Sequence, residues 1–228
     1  MSEDPRANVE VAVWDWPVRA VHWSIVVLVA MLLTTGLVKG DAVMVWHMRA
    51  GATLLALVLF RVLWGFLGSR NARFASFVRG PAAVLAYAKS ILRPPHQPYA
   101  THNPLGGWMV VALLLAMLFQ AGTGLFTNDD ILTEGPLAKL ITKDLSDAIS
   151  TLHRRGWWVV AGLTSLHIAA VVSYLLALKD NLIRPMVSGV KLLPPGAARP
   201  ADAAASNARA LAVLALCAVA VWWTVNRI

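Results

Sequence analysis

Five stretches of the chain are apolar at almost every position: Ala20–Val38, Val45–Leu67, Leu105–Phe126, Gly156–Leu178 and a shorter Leu211–Val225. A bilayer core of roughly 30 Å takes about 20 apolar residues in a helix, so the pattern predicts five transmembrane helices. The first stretch could also be read as a cleaved signal peptide. Its length, its aromatic flank (Trp14, Trp16, Trp23) and the lack of a nearby A-x-A site argue against that. Between the fourth and fifth stretches, Pro194–Ala208 is rich in Pro and Ala and reads as a flexible linker.

Composition agrees with the pattern. Of 228 residues, 58% are hydrophobic, 14% are charged and 10 are Trp. Mean hydropathy is +0.62. A disordered chain would be polar and poor in aromatics. A disulfide-stapled secreted domain needs more than the single Cys217. An integral membrane protein remains.

The net charge of +8 is distributed, and its distribution sets the expected topology. Gly68–Pro104 holds Arg70, Arg73, Arg79, Lys89 and Arg93 with no acidic residue. Lys179–Arg209 is also basic on balance. Thr127–Leu152 instead carries Asp129, Asp130, Glu134, Asp144 and Asp147 against Lys139 and Lys143. The positive-inside rule then puts the N-terminus and both basic stretches in the cytoplasm and the acidic loop outside. This accounts for the positive charge without nucleic acid as a partner. Cytoplasmic cations are also placed to touch anionic lipid.

Ionisable residues in or beside a span point to function by default. Six histidines occur: His22, His47, His96, His102, His153 and His167. His22 begins the first span on the inner side, and His47 and His153 begin the second and fourth on the outer side. His167 lies 14 residues beyond His153. On a helix that is about 21 Å deeper and within roughly 40° of the same face. The four histidines therefore sort by depth into an inner pair, His22 with His167, and an outer pair, His47 with His153. Paired imidazoles from facing helices suit a six-coordinate iron porphyrin. A bare zinc or copper ion is the alternative, although zinc usually takes three or four protein ligands. No C-x-x-C-H motif is present, so any haem is b-type rather than covalently attached.

Arg61 lies in the second span, 14 residues after His47, and so reaches the depth of the inner pair. It suits a haem propionate, or it snorkels to the interface. Arg19, one turn before His22, has the same two readings. Gly36, Gly106, Gly107, Gly122 and Gly124 occur where a flat macrocycle would approach backbone, and glycine also serves plain helix packing. His102, just before the third span, is either a proton-exchanging group at a quinone or propionate site or a helix-entry residue ahead of Asn103-Pro104.

VWDWPVRAVHW (Val13–Trp23), HNPLGGW (His102–Trp108), QAGTGLF (Gln120–Phe126), LHRRGWW (Leu152–Trp158) and LHIAAV (Leu166–Val171) together carry a resemblance. Over about residues 10–190 the chain resembles bacterial cytochrome b-561 and the b-type cytochrome subunit of nickel-iron hydrogenases. The resemblance implies an all-α integral membrane four-helix bundle with two b haems. His22 and His167 would ligate the inner haem, and His47 and His153 the outer one. It implies electron transport between a quinone pool and a redox partner on the outer face, within a respiratory chain of the bacterial inner membrane. Residues 1–192 would form this di-haem domain, 193–208 the linker, and 209–228 a fifth helix outside the four-span pattern.

The expected partners are membrane lipid, quinone, a periplasmic redox protein that is cytochrome c-like or hydrogenase-like, and, as a further candidate, a second copy of the chain. The acidic stretch Asp129–Asp147 suits a basic partner, or is simply a solvated loop. Two other functions are open to a chain of this kind. Some small members of the family oxidise superoxide and pass the electron to quinone. That needs a positive funnel, which Arg49, Lys139, Lys143, Arg154 and Arg155 could supply and the five acids oppose. A transporter should show broken spans or inverted repeats, and neither is evident.

Overall fold

The computed structural model describes residues 8–38, 40–91, 98–131, 133–194 and 205–226. His96 and most of the expected linker lie outside the described residues. In chain order the elements are β1 (Val9–Ala12), α1 (Trp16–Leu37), α2 (Asp41–Leu67), α3 (Phe74–Phe77), α4 (Pro81–Ile91), α5 (Pro104–Gly124), α6 (Lys143–Leu176), α7 (Ile183–Ser188), β2 (Val190–Leu193) and α8 (Asn207–Asn226). Short 3-10 turns cover Arg70–Ala72 and Ala138–Leu140. The fold is all-α. α1, α2, α5, α6 and α8 are each long and apolar enough to cross a membrane.

Four of these helices end within a few residues of the expected spans. α6 differs, because it begins at Lys143 rather than near Gly156 and runs for 34 residues. At 1.5 Å per residue it is about 50 Å long, well beyond a bilayer core. The extra turns come from the second half of the acidic loop. Ser146 and Ser150 are buried there. Ser146 Oγ donates to Phe126 O at 2.7 Å, and Asn128 N donates to Ser150 Oγ at 2.9 Å. These bonds fold the loop back onto the helix and keep its first turns helical.

The chain divides into two compact units. One comprises residues 1–20, 63–111 and 166–210. Its centre is Val13, Pro17, Trp64, Phe77 and Leu193, all almost fully buried. β1 and β2 pair antiparallel, with Val9 opposite Leu193 and Ala12 opposite Val190. Asp15 caps α1: its Oδ1 accepts from Val18 N at 2.8 Å and its Oδ2 from the Trp64 indole at 2.9 Å. A buried carboxylate is tolerable there because it meets backbone donors at a helix N-terminus and an indole N–H. In the same unit Lys191 and Asp180 form a buried ion pair at 2.8 Å, and Lys191 also donates to Tyr99 O at 2.8 Å.

The other unit comprises residues 21–62, 112–165 and 211–228. It holds the remainder of the five long helices. Leu55 and Ala56 of α2 pack with Val221 of α8, and Leu118 and Ala121 of α5 pack against that cluster. Val221 and Val225 thus pack α8 into this unit.

Candidate functional site

α2 and α6 bring His47 and His153 together. Their ring centroids are 6.3 Å apart and their planes cross at 88°. Two imidazoles bound through one nitrogen each on opposite sides of a metal, at about 2.0–2.1 Å, would place their centroids about 6 Å apart. The pair thus has the separation of two axial ligands of one metal.

The hydrogen bonds around the rings favour one tautomer. Thr35 Oγ1 lies 3.0 Å from His47 Nδ1 and donates to Met31 O at 2.7 Å. A hydroxyl has one proton, so Thr35 accepts from His47 and Nδ1 carries the hydrogen. His153 Nδ1 lies 2.9 Å from Gln120 O, which can only accept. Thr123 Oγ1 is 3.1 Å from the same nitrogen and donates to Phe119 O at 2.9 Å. Both rings are therefore Nδ1–H tautomers with a lone pair on Nε2. Bonds of this kind orient metal-ligating histidines and raise their basicity.

Glycine lets the rings approach the neighbouring helices. A Cβ at Gly36 of α1 would lie 3.2 Å from His47 Cε1, and one at Gly124 of α5 would lie 3.0 Å from His153 Cε1. Two of the expected glycines therefore clear space for the imidazoles themselves. Gly107 packs instead against the Phe77 backbone, and Gly106 beside the Asn103 side chain. Gln120 fixes His153 a second time, because its Nε2 donates to His153 O at 2.9 Å. Sequence reading assigned no role to Thr35, Thr123 or Gln120, because they look like ordinary span residues until their partners are known.

No group of three or more His, Cys, Asp or Glu side chains converges on a metal site among the described residues. A bare zinc ion at His47 and His153 would lack its remaining protein ligands. A porphyrin brings four in-plane nitrogens of its own and needs two axial ones, which matches the donors present.

The other candidates are placed as follows. His22 belongs to the second compact unit and His167 to the first. His22 sits edge-on to Trp23, with centroids 5.2 Å apart. Arg61 is buried in α2, 6% exposed. Arg19 donates to Val187 O at 2.5 Å. His102 lies between the rings of Trp14 and Phe77, at centroid distances of 4.7 and 4.6 Å. The next residue, Asn103, caps α5 by accepting from Gly106 N at 2.8 Å.

In the acidic loop, Lys143 bridges Asp130 and Asp147. Asp129 Oδ1 accepts from Ile131 N at 3.0 Å and Thr133 N at 2.8 Å. Three of the five acids thus hold the loop together. They also line a cleft with Asn128, Ser150, Thr151 and Arg154.

The family model described as "Prokaryotic cytochrome b561" matches residues 13–189. The chain is 26% identical to a probable Ni/Fe-hydrogenase B-type cytochrome subunit of Bradyrhizobium diazoefficiens, over 78% of this chain and 85% of that one. It is 24% identical to the protein of the same name from Rhodobacter capsulatus, over 82% and 83%. It is 23% identical to the probable Ni/Fe-hydrogenase 1 B-type cytochrome subunit of Escherichia coli, over 78% and 89%. No solved structure matches.

Proposed function

The chain belongs to the prokaryotic cytochrome b561 family, and from that premise we propose that it carries electrons between the quinone pool and a redox protein docked at its outer face. Membership makes it a multi-pass membrane b-type cytochrome. The proposal extends this to two haems, with His47 and His153 as axial ligands of the outer one and His22 and His167 of the inner one. Arg61 and Arg19 are the propionate partners in this reading, and His102 belongs to a quinone or propionate site. The setting is a bacterial inner membrane with the N-terminus in the cytoplasm, as the charge distribution suggests.

The observation that carries the reading is the outer histidine pair: centroids 6.3 Å apart, both Nε2 lone pairs free, and both Nδ1 hydrogens held by neighbouring helices. Haem, when bound, supplies a one-electron couple whose potential follows its axial ligands and its burial. The chain's part is to hold the imidazoles in one tautomer and keep them out of water. Arg61, buried in a span, suits a carboxylate partner, because a buried guanidinium needs anionic or carbonyl acceptors. The relatives' names make a Ni/Fe hydrogenase one form the outer partner can take, and a c-type cytochrome is another. The superoxide alternative gains no support, since Asp129, Asp130 and Asp147 line the described outer cleft and repel an anion.

A pyridine haemochrome assay with a reduced-minus-oxidised spectrum tests the count. The expected result is about two b haems per chain, reduced by added quinol. One haem in fully loaded, folded protein removes the inner pair from the proposal. Haem that quinol does not reduce removes the quinone.

A further inference from the structure

α4 carries an apolar stripe that is exposed at Pro81 and Leu85 and half-buried at Val84 and Ala88. Pro81, Val84, Leu85 and Ala88 recur at the spacing of one helix face and line a shallow groove with Trp108 of α5. Leu85 is 57% and Trp108 45% exposed. The volume is about 380 Å³, within the range of roughly 300–1,000 Å³ typical of small-molecule sites.

The direction of the stripe is fixed from behind. Tyr87, on the other face of α4, is buried, and its hydroxyl meets that of Tyr174 at 2.5 Å. Asn103 Nδ2 donates to Tyr174 Oη at 2.9 Å. Burial and the Tyr174 bond both raise the Tyr87 pKa, so the tie stays uncharged at physiological pH. The Trp108 indole donates to Arg79 O at 2.8 Å, fastening the start of α4 to the first turn of α5. A tryptophan at the end of a span sits at headgroup level, so α4 lies along the membrane interface.

The charge around the groove has one sign. Arg79 stands two residues before Pro81, and Lys89 one residue after Ala88, so cations bracket the stripe. Arg70 and Arg73 lie on the same segment, which carries no acidic residue from Gly68 to Pro104. No carboxylate forms an ion pair with Arg70, Arg73, Arg79 or Lys89 among the described residues. Arg79 Nη2 donates to Ser76 O at 2.8 Å.

We propose that this groove is a binding site for an anionic phospholipid, with one acyl chain along Val84, Leu85, Ala88 and Trp108, the phosphate on Arg79 at one end of the stripe and Lys89 adding positive charge at the other. A zwitterionic lipid fits the apolar part equally but offers no net charge to the cations. A quinone tail also fits the apolar part and has no anionic head. The electrostatic share is the diagnostic one, and about a fivefold affinity per cation is the expected size.

The test uses the haem-loaded protein, stripped of lipid in detergent and observed by native mass spectrometry with added phosphatidylglycerol or phosphatidylethanolamine. The unaltered protein should retain phosphatidylglycerol preferentially. Arg79→Gln with Lys89→Gln should lower its retention by about fivefold per cation and leave phosphatidylethanolamine unchanged. Ala88→Trp should fill the groove and lower both. The haem spectrum, which does not depend on this groove, reports folding in each case and keeps this test separate from that of the electron-transfer reading. Equal retention of the two lipids, a double variant with unaltered preference, or an Ala88→Trp variant that loses bound quinone but keeps phosphatidylglycerol would each overturn the proposal.

Discussion

His47 and His153 face one another across a gap of 6.3 Å between ring centroids, and each is held at Nδ1 by a different helix from its own. α1 holds the first ring and α5 the second. Removing either imidazole should remove one axial ligand and leave every other candidate ligand in place. His153→Ala is expected to take bound haem from about two per chain to about one. His167→Ala should do the same at the inner site. Pyridine haemochrome content, read beside a circular dichroism spectrum that reports folding, checks both. Loss of both haems from folded His153→Ala protein would contradict the pairing.

The two rings differ in how many acceptors hold them. His47 Nδ1 has Thr35 Oγ1 as its acceptor. His153 Nδ1 has both Gln120 O and Thr123 Oγ1. Thr35→Val should therefore weaken haem retention by about 10–100-fold, the usual range for such supporting groups. It should also raise the midpoint potential of the outer haem, because a less basic imidazole stabilises the ferric state less. Thr123→Val should change either quantity much less, since the carbonyl remains. Potentiometric titration of the two variants side by side checks the contrast.

Gly124 and Gly36 offer a graded steric test. A methyl at Gly124 would lie 3.0 Å from His153 Cε1, and one at Gly36 would lie 3.2 Å from His47 Cε1. Gly124→Ala should displace its ring by a few tenths of an ångström, and Gly36→Ala somewhat less. Gly124→Val should cost about 1–3 kcal/mol of stability by overpacking and lower haem content at the outer site alone. Thermal unfolding in detergent and haem content measure the two effects separately.

The buried pair Lys191–Asp180 should be worth more intact than half removed. Lys191→Met leaves Asp180 buried without its cation, for an expected loss of about 3–5 kcal/mol. Lys191→Met combined with Asp180→Leu should recover most of that loss, because two apolar side chains replace two desolvated charges. Unfolding of the two variants in the same detergent reads the difference. A double variant as unstable as the single one would mean that the Lys191–Tyr99 bond matters more than the charges do.

Much of the scaffold was readable from residue order. Span membership needs only a long apolar run, and the depth match of His47 with His153 needs only helix rise. What escaped was whatever depends on partners distant in sequence. Lys191 looked like one more cytoplasmic charge, yet it is buried against Asp180. Val9–Ala12 and Val190–Leu193 are four-residue strands, too short to declare themselves until they pair across the length of the chain. The early start of α6 was hidden by its charges, since a helix outside the bilayer has no reason to be apolar. Asp15 is one residue of the Val13–Trp23 run, and nothing in the order of residues shows its tie to Trp64, 49 residues away.

The shared tautomer of the outer histidines also bears on how the protein is matured. Each ring has used its Nδ1 on a neighbouring helix and so offers one donor atom. No third His, Cys, Asp or Glu side chain joins the pair among the described residues. A newly inserted chain therefore presents free divalent ions with two positions and leaves the others to water, a poor trap even for copper or zinc, which outrank iron in affinity for most nitrogen sites. Only a group that arrives with its equatorial ligands already in place gains fully from the two lone pairs. On the proposed haem ligation, the hydrogen bonds that orient the two rings would also leave free ions little to bind.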